Sequence, residues 1–176
     1  MKINRKKITI VDGYNVINAW PNLKDAIDDL EHSRDLLIDK LINYKYLTNE
    51  KIILVFDAHY VEGNKGTEIN MKGITVVYTK EKVNADSYIE KLVSKLAKDR
   101  RNIIKVVTFD YAEQQNVLGN GAIRITPLEF KNRIEDIEKR LELVYIKEKK
   151  RKEQQEKTNG NLDIETLKKL EKLKND

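Results

Sequence analysis

Apolar residues recur along this chain in two rhythms. Short runs rich in β-branched residues, Lys7–Val11, Lys51–Phe56, Gly73–Thr79, Asn102–Thr108 and a brief Ile123–Thr126, read as strands. Between them the spacing changes to three or four. Ile27, Leu30, Leu37, Ile38, Leu41, Ile42 and Tyr46 predict a long helix over Leu23–Leu47. Ile89, Leu92, Val93 and Leu96 predict a second over Ala85–Lys98, capped by Asn84. A short helix is expected over Tyr111–Leu118, ahead of a Gly119-Asn-Gly121 turn. Pro127 suits the first turn of a last core helix, on which Phe130, Ile134, Ile137, Leu141 and Val144 should pack against the domain. The polar, glycine-bearing stretch Val61–Glu68 reads as a loop. Strands alternating with helices predict an α/β fold with an open parallel sheet.

Past Tyr145 the apolar pattern fades. Residues 147–157 are almost all charged or amide, as a solvated helical extension would be. Thr158-Asn159-Gly160-Asn161 predicts a break, after which Asp163 could cap a final helix with Ile164, Leu167, Leu170 and Leu173 on one stripe. The expected organisation is a domain over residues 1–146 and a charged helical tail over 147–176.

Composition narrows the class. A chain of 176 residues suits one domain with an appendage. Without cysteine, disulfides and thiolate metal sites are excluded. No apolar run approaches the roughly 18 residues of a membrane span, so a cytoplasmic protein without a membrane partner is expected. Charged residues make up 36% of the chain, with a net charge of +5. The bases gather at Arg5-Lys6-Lys7, Lys98–Arg101 and Lys147–Lys152. Such a surface suits a polyanion, although a solvated lysine-rich surface reads the same way.

Four aspartates fall at strand-to-helix junctions. Asp12, Asp57 and Asp110 each close a strand, and Asp86 opens the helix after the third. Ligands of open α/β sheets bind beyond the carboxyl ends of the strands, so all four point to one edge. Carboxylates gathered there repel one another and call for a cation or shifted pKa values. A divalent ion with oxygen ligands, Mg²⁺ or Mn²⁺, answers that need and supports hydrolysis at phosphorus. Singly, each acid has an ordinary explanation. Asp110 and Glu113 match a capping box, Asp86 favours a helix N-terminus, and Asp12-Gly13 and Asp57 suit turns. Asn15 could orient Asp12 or meet a phosphate, or serve as a turn or cap. Arg124 and Lys80 are further candidates for phosphate contact, and His59 could border the site or lie on the surface. Gly63-Asn-Lys-Gly-Thr67 lacks the end of a P-loop, and Gly119-Asn-Gly121 is a lone Gly-x-Gly, so no nucleotide cofactor is expected.

Val-Asp-Gly-Tyr-Asn-Val-Ile (Val11–Ile17) resembles the opening signature of the NYN domain, a branch of the PIN-like nuclease fold. Val55–His59, Tyr78–Glu81, Ala85–Glu90, Thr108–Gln114 and Gly119–Arg124 are similar, in that order, to segments of the bacterial YacP-like subgroup. The resemblance covers about residues 7–145. It implies a Rossmann-like sheet of order 3-2-1-4-5 with helices on both faces, and metal-dependent endoribonuclease activity. Within it, Asp12, Asp86 and Asp110 match metal-binding acids with Asp57 beside them. It further implies RNA, specifically mRNA, as substrate and the ribosome as partner. Phe109 departs from the pattern, since a small polar residue is common there. Two other classes remain open on the residues alone: a non-catalytic RNA- or ribosome-binding module, and a phosphatase for a small phosphorylated substrate.

Overall fold

The structure is a computed structural model. It describes residues 5–24, 29–57, 65–109, 119 and 121–173, with residues 65 and 156–173 through their backbone alone. Six strands form one sheet: β1 (Lys6–Asp12), β2 (Lys51–Phe56), β3 (Lys65–Met71), β4 (Ile74–Lys80), β5 (Asn102–Val107) and β6 (Ile123–Ile125). The helices are α1 (Gly13–Ala19), α2 (Pro21–Lys24), α3 (Leu30–Thr48), α4 (Ala85–Leu96) and α5 (Pro127–Leu173). The chain divides into two compact units, Met1–Ile134 and Glu135–Asp176.

The sheet order is β3-β4-β2-β1-β5-β6. β1 pairs in parallel with β2 and β5, β2 with β4, and β5 with β6. The five strands expected from the sequence therefore stand in the expected 3-2-1-4-5 arrangement. Strand alternation sends Ile8, Ile10, Ile53, Val55, Val77, Ile104 and Val106 to one face, where Ala85, Ile89 and Val93 of α4 complete a core. The residues between them serve the other face. There Tyr44 of α3 meets Phe130 of α5 edge-on at 5.2 Å between centroids, and Phe56 lies 5.1 Å from Tyr14 of α1. Asn84 caps α4 by accepting from the Ser87 N–H, and Pro127 opens α5, both as expected.

Four expectations need correction. The supposed loop over Val61–Glu68 is in part strand β3, which pairs antiparallel with β4. Its residues 66–70 are exposed, so hydrophobic patterning carries no trace of it. A two-residue turn with positive φ at Lys72 (47°) and Gly73 (88°) joins the hairpin. Second, Asp12-Gly13 is not a bare turn but the start of α1, with Asp12 as its N-cap. Third, Leu141 and Val144 are exposed, whereas Phe130 and Ile134 are buried, so the buried stripe of α5 fades sooner than its periodicity suggests. Fourth, α5 runs through Thr158–Asn161 without a break. One glycine costs a helix about 1 kcal/mol, and no proline follows, so long flanking runs of good helix formers carry the helix across. The expected helix Leu23–Leu47 starts later as α3, after the short α2, and residues 25–28 lie outside the described residues. So does the expected helix Tyr111–Leu118.

Candidate active site

β1 delivers Asp12 to the carboxyl edge of the sheet, beside the point where the chain order reverses. The side chain is 4% exposed. Its two oxygens serve Asn15: Oδ1 accepts the backbone N–H at 3.0 Å, and Oδ2 accepts from Nδ2 at 2.7 Å. The local sequence enforces this geometry. A Cβ at Gly13 would collide with the ring of Phe56, so only glycine lets α1 start directly behind Asp12. Asn15 is thus both a helix residue and the clamp on the carboxylate.

Asp57 follows β2 on the same face, and its Oδ2 accepts from the Ala85 N–H at 3.3 Å, which ties the strand end to the first residue of α4. Asp86 lies in that same first turn. Burial pushes the Asp12 carboxyl above its ordinary range. The two Asn15 hydrogen bonds pull the other way, and the charges of Asp86 and Asp57 push it up again. Asp12 therefore feels the carboxylates of two other junctions. Asp110 and His59 lie outside the described residues.

The candidate phosphate contacts are dispersed. Asn15 is at Asp12. Lys80 ends β4, exposed, and its side chain lies over Gly66 of β3. Arg124 is exposed on the edge strand β6, where its charge adds to the Thr126 hydrogen bonds that hold the Glu129 carboxyl low. Among the described residues, no three His, Asp or Glu side chains are close enough together to enclose an ion. The donor set of Asp12, Asp57 and Asp86 is nonetheless all hard oxygen, with the charges of Asp86 and Asp57 acting on Asp12. That chemistry fits a divalent cation. Among the described residues, no helix is long and apolar enough to cross a membrane.

Sequence reasoning missed α1 itself, although its Val16 and Ile17, with Trp20 and Leu23 just beyond, recur at helical spacing and are buried. It also missed the capping box of α5. Thr126 N–H and Oγ1 each donate to Glu129 Oε2 at 2.7 Å, and Glu129 N–H donates to Thr126 Oγ1 at 3.2 Å. Thr-Pro-Leu-Glu is the matching sequence signal.

The profile of the YacP-like NYN domain matches residues 9–175. The chain belongs to the YacP-like NYN family. It is 41% identical over 171 residues to the uncharacterized protein YacP of Bacillus subtilis (strain 168), spanning 94% of this chain and 95% of that one. It is also similar to the crystal structure of Rae1 (YacP) from Bacillus subtilis. There the TM-score is 0.68 at 40% identity, over 95% of this chain and 94% of the other. A point mutant of the same protein matches with a TM-score of 0.66 at 40% identity, over 77% and 79%. NYN domains belong to the PIN-like nuclease superfamily, so membership supports a nuclease-type, RNA-related function. Domains of this kind typically use divalent metals.

Proposed function

We propose that the protein is a metal-dependent endoribonuclease of the cytoplasm that cleaves mRNA on the ribosome. Asp12, Asp57 and Asp86, with Asp110, would hold Mg²⁺ or Mn²⁺; Asn15, Lys80 and Arg124 would contact phosphate. The observation that supports this reading is the charge coupling of Asp12 to Asp57 and Asp86 at the carboxyl edge of a nuclease-family sheet. A bound divalent ion would activate water and offset charge developing on phosphate oxygens. The chain's own share is positional. Asn15 fixes the Asp12 carboxylate, and the Asp57 link to Ala85 fixes α4 and hence Asp86. The exposed bases Lys147, Lys149, Lys150, Arg151 and Lys152 of α5 add a salt-sensitive hold on RNA.

The test uses purified protein with Mn²⁺, naked RNA and translating complexes. Internal cleavage in at least one setting, abolished by chelator, is expected. Cleavage that ignores chelator in both would overturn the metal mechanism. Intact RNA in both, with Mn²⁺ still bound, would favour a binding module. Removing residues 147–176 should flatten the salt dependence of RNA binding by about 0.7 in log–log slope for each phosphate that the tail neutralises.

A further inference from the structure

A second feature of this edge is not acidic. A hollow of about 340 Å³ opens beside Asn15, the hydrogen-bond partner of Asp12, and is lined by Asn15, Asn18 and Ala19 of α1, Phe109 just past β5 and Leu128 at the start of α5. We propose that this hollow binds a nucleobase of single-stranded RNA, stacked on Phe109, next to the phosphodiester at the carboxylate edge. This rests on the nuclease reading above and adds a base-binding site to it.

The chemistry of the lining selects the occupant. Phe109 is 67% exposed and Leu128 59% exposed. Two large apolar side chains from separate elements thus share one surface with two carboxamides, and no charged side chain is among the described residues that line it. A phosphate or a charged peptide gains nothing there. A nucleobase does, because it offers an apolar π-face to an aromatic ring and donors and acceptors at its edge to amides. Asn15 gives its Nδ2 to Asp12, so its carboxamide oxygen is the acceptor it can turn to a base N–H. Because Asn15 belongs to both the carboxylate clamp and the hollow, a base seated there is adjacent to the acids. The volume falls within the range of about 300–1,000 Å³ typical of ligand sites.

The walls are braced. The Trp20 indole N–H donates to the Pro127 carbonyl at 2.7 Å and pins the end of α1 to the start of α5. The Thr108 N–H donates to the Ile125 carbonyl at 3.2 Å and fixes the segment that carries Phe109. An exposed ring on a braced backbone suits a stacking platform, since little order must be gained on binding.

The experiment measures affinity of the full chain for a short, labelled single-stranded RNA in chelator, where nothing is cut. Phe109→Ala and Phe109→Leu should each weaken binding about ten-fold or more, as loss of one stacked base does. Phe109→Tyr and Phe109→Trp should stay close to wild type. A 2-aminopurine in the RNA should be quenched by wild type and not by Phe109→Leu. Phe109 is mostly exposed, so all four variants should melt as wild type does. If wild type binds RNA and Phe109→Leu binds equally well, the base site is wrong and the nuclease reading stands. If wild type binds translating complexes but not this RNA, the base site is wrong; if it binds neither, the nuclease reading fails and the base site with it.

Discussion

Asp12 and Glu50 are both buried carboxyl groups at strand ends, at opposite edges of the sheet, and the chain treats them oppositely. Glu50, 2% exposed, precedes β2 at the amino edge. It accepts from Lys105 Nζ at 2.7 Å, Thr9 Oγ1 at 2.8 Å and Tyr44 Oη at 3.4 Å, with Arg133 at 4.0 Å. Burial raises its pKa, but the Lys105 and Thr9 hydrogen bonds outweigh that and hold it below the ordinary carboxylate range. The same setting pushes the Tyr44 hydroxyl up to about 12, through burial and the Glu50 charge. Among the described residues, Asp12 has the Asn15 bonds against burial and two like charges, and ends up raised. One carboxylate has a compensating cation among the described residues, and the other has two like charges instead. A structural acid and a candidate functional acid thus differ in their partners rather than in their burial.

The widest separation should come from breaking each site. Lys105→Ala leaves Glu50 buried and unpaired with its main cation, and should cost about 3–5 kcal/mol of stability in denaturant melts. A loss under about 1 kcal/mol would mean that Glu50 is solvated and the contrast is false. Asp12→Asn and Asp86→Asn should instead lower RNA cleavage by about 100-fold or more, because metal stabilisation of the transition state is worth several kcal/mol. Near-normal rates in both variants would remove the carboxylate site from the mechanism.

Asn84→Ala should cost about 1 kcal/mol, since it removes the cap of α4 without touching either acid. A cleavage defect larger than that stability loss would show that the α4 terminus positions Asp86. The smallest effect concerns metal-free stability of Asp12→Asn, which should equal or slightly exceed wild type. The sign follows from the raised carboxyl. Its stabilising contribution is complete below the ordinary value of 3.8 and is lost as pH rises through the higher folded value. Glu50 works in reverse. Its contribution is present above 4.5 and is lost as pH falls through its lowered folded value, so Glu50→Gln should flatten the acid limb of the stability profile. A clear stability loss in metal-free Asp12→Asn would make Asp12 structural.

Much of this was open to reading from the residues in order. The strands β1, β2, β4 and β5 announce themselves because the sheet's centre is buried on both faces, and burial demands continuous apolar runs, whereas the exposed edge strand β6 shows only in its isoleucines. The Asn84 cap and the start at Pro127 are local chemistry and needed no partner. So was the placement of Asp12, Asp57 and Asp86 at one edge, since parallel strands put every strand-end residue on the same side. Tertiary structure alone decided the rest. β3 is exposed along residues 66–70 and exists because β4 offers it an edge, so composition could not reveal it. Asn15 became the clamp of Asp12 only when Phe56 and Gly13 set where α1 begins. Phe109 is a mere departure from a pattern until α1 and α5 close around it. Glu50 and Lys105, 55 residues apart, gave no sequence sign of pairing. Local periodicity reports how a segment is buried, whereas the state of a charge depends on what distant segments bring within about 3 Å of it.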